Sequence, residues 1–142
     1  MVVTTALSPT SLEGAQKNLQ AEAKTDDFDA VRRQAETLWN NELGRIEIEG
    51  ASKSQETVFY TSLYHAMSAP TLLCDVDGTY LGADRKLHKA DGWNNYETCS
   101  LWDTYRAAHP LYDILMPARA GEMINSLIAF SKENGRLPIW NM

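Results

Sequence analysis

The sequence predicts a mainly helical fold carrying one short strand-forming insert. Helix caps followed by good helix formers recur before residue 70, and apolar residues recur at helical spacing between residues 102 and 132. Extended, turn-rich text is confined to residues 71–97.

Taken in order, residues 1–8 are β-prone and end at Ser8-Pro9, as a strand closing something upstream would. "TSLEGAQKNLQAEA" then reads as a helix capped by Thr10 or Ser11. Asp26 or Asp27 caps a second helix, with Phe28, Val31, Ala35, Leu38, Trp39 and Leu43 on its inner face and Arg32, Arg33 and Glu36 in water. Gly44 closes that helix, and the alternation in "RIEIEG" predicts a strand.

A third helix starts near Ser52 or Ser54, where Ser52 and Gln55 suit a capping box. Its inner face carries Phe59, Leu63, Ala66 and Met67, and Pro70 stops it. In the insert, Asp77-Gly78 is the strongest turn signal. Helix is expected again from Trp102 to Ala108, with an interruption at His109-Pro110. Pro117 opens the last helix, which runs through Lys132 to a cap at Asn134-Gly135. Met123, Ile124, Leu127, Ile128 and Phe130 suggest burial of that helix on more than one side. The final "LPIWNM" is apolar and ends without a closing element.

The net charge of −6 and pI near 5.0 argue against nucleic acid or an anionic membrane as partner. No apolar run approaches the ~20 residues needed to span a bilayer. The start does not read as a signal peptide, lacking a basic head and a continuous apolar run. Cys74 and Cys99 stand at no metal or redox spacing and read as small packing residues.

"LLCDVDGTYL" resembles the nucleophile loop of a haloacid dehalogenase-type phosphatase, with Asp75 attacking phosphorus and Asp77 acting as acid. The context opposes that reading. Such a nucleophile belongs at the carboxyl end of a central parallel strand, with a Lys and magnesium-binding carboxylates downstream. An Asp-Gly turn with positive φ accounts for the text. A calcium EF-hand fails as well, because Gly78 is fourth from Asp75 rather than sixth and Lys86 stands where Glu is needed.

Trp102-Asp103 is a better candidate site. An indole offers a flat apolar surface to the C–H face of a pyranose, and a neighbouring carboxylate accepts strong hydrogen bonds from two hydroxyls. Adjacent helical residues point about 100° apart, so both reach one sugar only from a helix start, with Ser100 as a possible cap. Arg106, three residues on, is placed to orient Asp103. A solvated Asp–Arg pair beside a core Trp remains the plainer reading of the spacing. His65 reads as a satisfied core histidine, His88 as solvated and His109 as a bend before Pro110. No two histidines stand at ligand spacing, so no zinc site is expected.

"SLWDTYRAAHP" and "FYTSLYHAM" resemble glycoside hydrolase family 92, the calcium-dependent exo-acting α-mannosidases. The likeness extends through "DFDAVRRQAETLWNNELGRIEIEG" and "DVDGTYLGADRKLHKA", covering about residues 8–142. It implies that residues 1–8 end a β-sandwich, residues 9–45 form linker helices, and residues 46–142 begin an (α/α)6 toroid, the catalytic barrel. It further implies that Trp102 and Asp103 bind a terminal mannose, with Arg106 in support. The implied reaction is inverting, calcium-dependent release of mannose from N-glycan-type chains, outside the cytoplasm in the periplasm or after secretion. Its partners are a mannose-containing glycan and the rest of the catalytic domain.

By the same resemblance, the catalytic acid, the base and the calcium ligands lie beyond this chain, so it is expected to be inactive alone and to expose an apolar face on its final helices. The alternative is a non-catalytic helical interaction module. A phosphatase using Asp75 is a distant third.

Overall fold

A computed structural model describes residues 2–141. Six helices and six very short strands follow in the order α1 (Leu12–Glu22), α2 (Phe28–Leu43), α3 (Lys53–Met67), β1 (Thr71–Leu72), β2 (Thr79–Leu81), β3 (Leu87–Lys89), β4 (Tyr96–Glu97), β5 (Cys99–Ser100), α4 (Leu101–Thr104), α5 (Ala108–Leu115), α6 (Pro117–Asn134) and β6 (Trp140–Asn141) among the described residues. The fold is mainly helical, as expected. No described helix is long and apolar enough to cross a membrane. The chain divides into two compact units, one of residues 2–3 and 25–69, the other of residues 4–24 and 70–141.

The first unit is the α2–α3 pair. Asp27 caps α2 by accepting from the backbone N–H groups of Asp29 and Ala30, and Ser52 with Gln55 forms the expected box on α3. Trp39 and Tyr64 meet with ring centroids 4.5 Å apart. Leu63 is buried, but Phe28, Val31 and Leu38 of α2 are exposed. The strand expected at "RIEIEG" does not form. Its alternation survives, with Ile46 and Ile48 half-buried and Glu47 and Glu49 exposed. No strand pairs with it among the described residues, and the Ile46 carbonyl instead accepts from the Tyr60 hydroxyl. His65 is exposed rather than in the core.

The second unit is assembled around Asp75. Asp75 is 3% exposed, and its carboxylate accepts from the Ser8 and Thr10 hydroxyls and the Asn18 amide. Asn18 also accepts from the Val76 N–H and donates to the Leu7 carbonyl. Asp75 is therefore a bolt between the α1 region and the insert. All strand pairs among the described residues are antiparallel, which removes the parallel-strand setting a phosphatase nucleophile requires.

The hairpin is β2–β3, with Tyr80 opposite His88. Asp77-Gly78 does not close it. Instead, two loops share one geometry. In the first, Gly78 N–H donates to the Asp75 carbonyl and Asp75 N–H to the Thr79 carbonyl. In the second, Arg85 N–H donates to the Gly82 carbonyl and Gly82 N–H to the Lys86 carbonyl. The left-handed positions are Gly78 (φ 82°) and Arg85 (φ 62°), and each is preceded by an Asp that accepts from the N–H two residues on.

Downstream, the helix expected from Trp102 to Ala108 is only one turn, α4. Pro110 does not interrupt a helix but sits in the first turn of α5, where its missing N–H costs nothing. Pro117 begins α6 and Gly135 (φ 77°) caps it, both as expected. Burial of α6 on more than one side does not occur. Ala120, Met123 and Ser126 are buried, while Ile124 and Ile128 are exposed. Ser126, 2% exposed, accepts from Tyr96 N–H and donates to the Glu122 carbonyl, fastening β4 to α6. Both cysteines are free; Cys99 is buried and Cys74 half-buried.

Candidate functional site

The predicted pair Trp102-Asp103 lies on α4, which leaves directly from β5. Just before β5, Thr98 adopts φ 61°, a left-handed conformation costly for a β-branched residue. Its hydroxyl accepts from the Thr71 N–H, tying the strained residue to the β1–β4 pair. The chain then turns sharply enough for Ser100 to pair with Trp140 across β5–β6 while Leu101 begins a helix.

Ser100 occupies the N-cap position but does not cap, contrary to expectation. Its hydroxyl donates to Asp103 Oδ2 at 2.5 Å and accepts from the indole N–H of Trp140. Trp140 was not foreseen as part of the site. Its ring stands edge-on to that of Trp102, with centroids 6.1 Å apart and planes at 83°. The two indoles are 57% and 52% exposed, and Asp103 is exposed beside them.

Arg106 does not orient Asp103. Its guanidinium donates to the Tyr105 hydroxyl and lies 5.3 Å from that ring's centroid. Ser100 does the task expected of Arg106. The plainer reading of Trp102 as a core residue also fails, because its ring faces solvent. Two indoles and a hydroxyl-held carboxylate on one open wall can grip a polyhydroxylated ring by stacking and by charge-assisted hydrogen bonds.

Behind this wall the chemistry is quiet. Cys99 Sγ lies 3.6 Å from His109 Nε2, but burial pushes the thiol up and holds the imidazole down, so neither is poised as an ion. His109 lies inside α5, edge-on to Tyr112, rather than at a bend.

A second cluster joins the hairpin to α6. His88, expected in solvent, is only 33% exposed in its side chain, and its Nε2 lies 2.9 Å from Asp84 Oδ1 and 4.0 Å from Glu133 Oε1. The Tyr80 hydroxyl and the Ala83 N–H donate to Glu133 at 2.7 and 2.9 Å. Burial, then the Glu133 hydrogen bond, drives the Tyr80 phenol far above its ordinary range. A cavity of about 530 Å³ opens over the cluster, bounded also by Trp93, Asn125 and Ile128. Sequence spacing missed this group because Glu133 is remote and only Asp84 and His88 stand at a regular interval.

The sequence profile described as "Glycosyl hydrolase family 92 catalytic domain" matches residues 14–142. Among solved structures, a family GH92 α-mannosidase from Bacteroides thetaiotaomicron is similar over 95% of this chain, with 37% identity and a TM-score of 0.88. That protein has also been solved in complex with mannoimidazole. A family GH92 inverting mannosidase from Bacteroides thetaiotaomicron VPI-5482 is similar over 94% of the chain, with 32% identity and a TM-score of 0.87. This chain covers 18% of the length of each. No curated protein matches it. The chain belongs to glycosyl hydrolase family 92.

Proposed function

We propose that this chain is the part of an exo-acting α-mannosidase that supplies one wall of the terminal-sugar subsite, at the start of an (α/α)6 catalytic barrel. The observation that carries this reading is the pair of exposed indoles, Trp102 and Trp140, flanking an Asp103 carboxylate held by Ser100. The indoles would cover the C–H face of the mannose ring, and Asp103 would accept from two of its hydroxyls. The similarity to an α-mannosidase and to an inverting mannosidase supports mannose as the sugar and inversion as the outcome.

Inverting hydrolysis needs an acid and a base about 6.5–9.5 Å apart on opposite sides of the bond. This chain supplies the binding wall, and the longer protein supplies the acid and base, working on N-glycan-type chains outside the cytoplasm. Calcium, implied by the resemblance, does not fit the residues present. Among the described His, Cys, Asp and Glu side chains, the group of three close enough to share an ion is Asp84, His88 and Glu133, and an imidazole nitrogen is a poor partner for a hard oxygen-seeking cation.

The test is kinetic, in the longer enzyme with an aryl α-mannoside. Asp103→Asn and Trp102→Ala should each lower kcat/KM at least about tenfold, the scale of one charge-assisted hydrogen bond or one stacked ring. Unchanged kcat/KM in both variants would remove the subsite reading. The 142-residue chain alone should give no turnover.

A further inference from the structure

We propose that Asp84, His88 and Glu133 form a binding site for a zinc-type divalent cation that locks the β2–β3 hairpin to the end of α6. One ligand atom from each lies within 4.8 Å of the others. Donors around a tetrahedral zinc stand roughly 3.3 Å apart, given bond lengths of ~2.0–2.1 Å. The Asp84–His88 and His88–Glu133 separations, 2.9 and 4.0 Å, bracket that value. An ion drawing Glu133 inward would close the remaining gap.

The surroundings are built to hold such a set. Glu133 has a side chain only 9% exposed, yet its two hydrogen-bond donors, Tyr80 and the Ala83 N–H, are both neutral. Each leaves a carboxylate lone pair free while fixing the group's orientation, as outer-shell partners of metal ligands do. His88 is stacked on Tyr80, with centroids 5.7 Å apart. Gly82 makes room for both ligands: a Cβ there would lie 2.5 Å from His88 Cδ2 and 2.7 Å from Glu133 Oε2. Lys86 approaches Asp84 at 3.7 Å but is 79% exposed, so it does not fill the cluster.

A divalent ion would cancel the two carboxylate charges, with neutral His88 giving its Nε2 lone pair and keeping its proton on Nδ1. Water entering from the cavity would complete four-coordination. The mixed nitrogen and oxygen donors select zinc or cobalt over calcium or magnesium. This site stands independently of the sugar-binding reading.

The experiment titrates the chain with zinc sulfate and with cobalt(II) chloride. One equivalent should bind, raise the melting temperature and give visible cobalt bands of a four-coordinate site without thiolate charge transfer. The His88 ring signal should shift, while those of His65 and His109 stay put. His88→Ala and Glu133→Gln should each weaken binding more than tenfold; His65→Ala and Cys99→Ser should not. If a variant loses its helical signal, Asp84→Asn, which keeps the loop acceptor, and the wild-type ring shift decide. No binding at millimolar zinc, a thiolate band, or an unmoved His88 signal would overturn the proposal.

Discussion

Ser100 and Trp140 face each other across the β5–β6 pair, and the indole N–H of one donates to the hydroxyl of the other. That hydroxyl in turn donates a hydrogen bond to Asp103, so a residue 40 positions downstream of Ser100 helps set the carboxylate's direction. Ser100→Ala in the longer enzyme should therefore behave as a positioning change, raising KM about three- to tenfold with a smaller effect on kcat. Ser100→Thr, which keeps the hydroxyl, should restore most of the loss. Equal kinetics for the Ala and wild-type enzymes would mean that Asp103 needs no holding.

Asp75 should matter for stability. Asp75→Ala would strand the Ser8, Thr10 and Asn18 donors and cost about 2–4 kcal/mol, read as a shift in the denaturation midpoint. Burial by itself would raise this carboxyl, but the hydrogen bonds from Thr10, Ser8 and Asn18 together hold it below its ordinary value. A group lowered in the folded state stabilises fully above its unfolded pKa, about 4, and loses that contribution as pH falls through the folded value. Acid unfolding of the wild type should thus steepen below pH ~4, and the Asp75→Asn variant should lack that component.

Local chemistry was legible in the sequence and remote pairing was not. Ser11, Asp27, the Ser52–Gln55 box and Gly135 cap their helices as read, because a cap depends on neighbours within one turn. "RIEIEG" misled because alternation reports which side is buried, while a strand also needs a partner. The spacing of Arg106 from Asp103 suggests a pair, but its guanidinium lies over the Tyr105 ring and donates to that hydroxyl instead. Of the open wall formed by Trp102, Trp140 and Asp103, the first and last stand side by side in the sequence and were readable as a pair. Trp140 was not, since nothing local records a strand pairing with Ser100, and a comparable separation in sequence hid Glu133 from His88.

The twin loops give a prediction of opposite signs. Arg85 holds φ 62° without the freedom of glycine, so Arg85→Gly should stabilise the chain by about 0.5–1 kcal/mol. At the equivalent Gly78, φ is 82° and a Cβ would lie 2.6 Å from the Ala90 carbonyl oxygen, a backbone atom that cannot swing away. Gly78→Ala should cost more than about 2 kcal/mol. Matched thermal melts of the two variants check both, and destabilisation by Arg85→Gly would show that its side chain outweighs the backbone strain.

The exposed face of α6 should be sticky in this chain. Ile124 and Ile128 stand one helical turn apart, 53% and 43% exposed, and Ile114 on α5 is 78% exposed. Apolar side chains grouped in this way bind hydrophobic dyes and favour association. The isolated chain should enhance the fluorescence of an anilinonaphthalene sulfonate dye, and Ile124→Glu with Ile128→Glu should cut that signal at least about twofold without loss of helical content. In the longer enzyme the same double change should lower the melting temperature, because Glu at a covered position carries an unpaired buried charge. A dye signal unaffected by the substitutions in the short chain, together with an unchanged melt in the long one, would place the covering interface elsewhere.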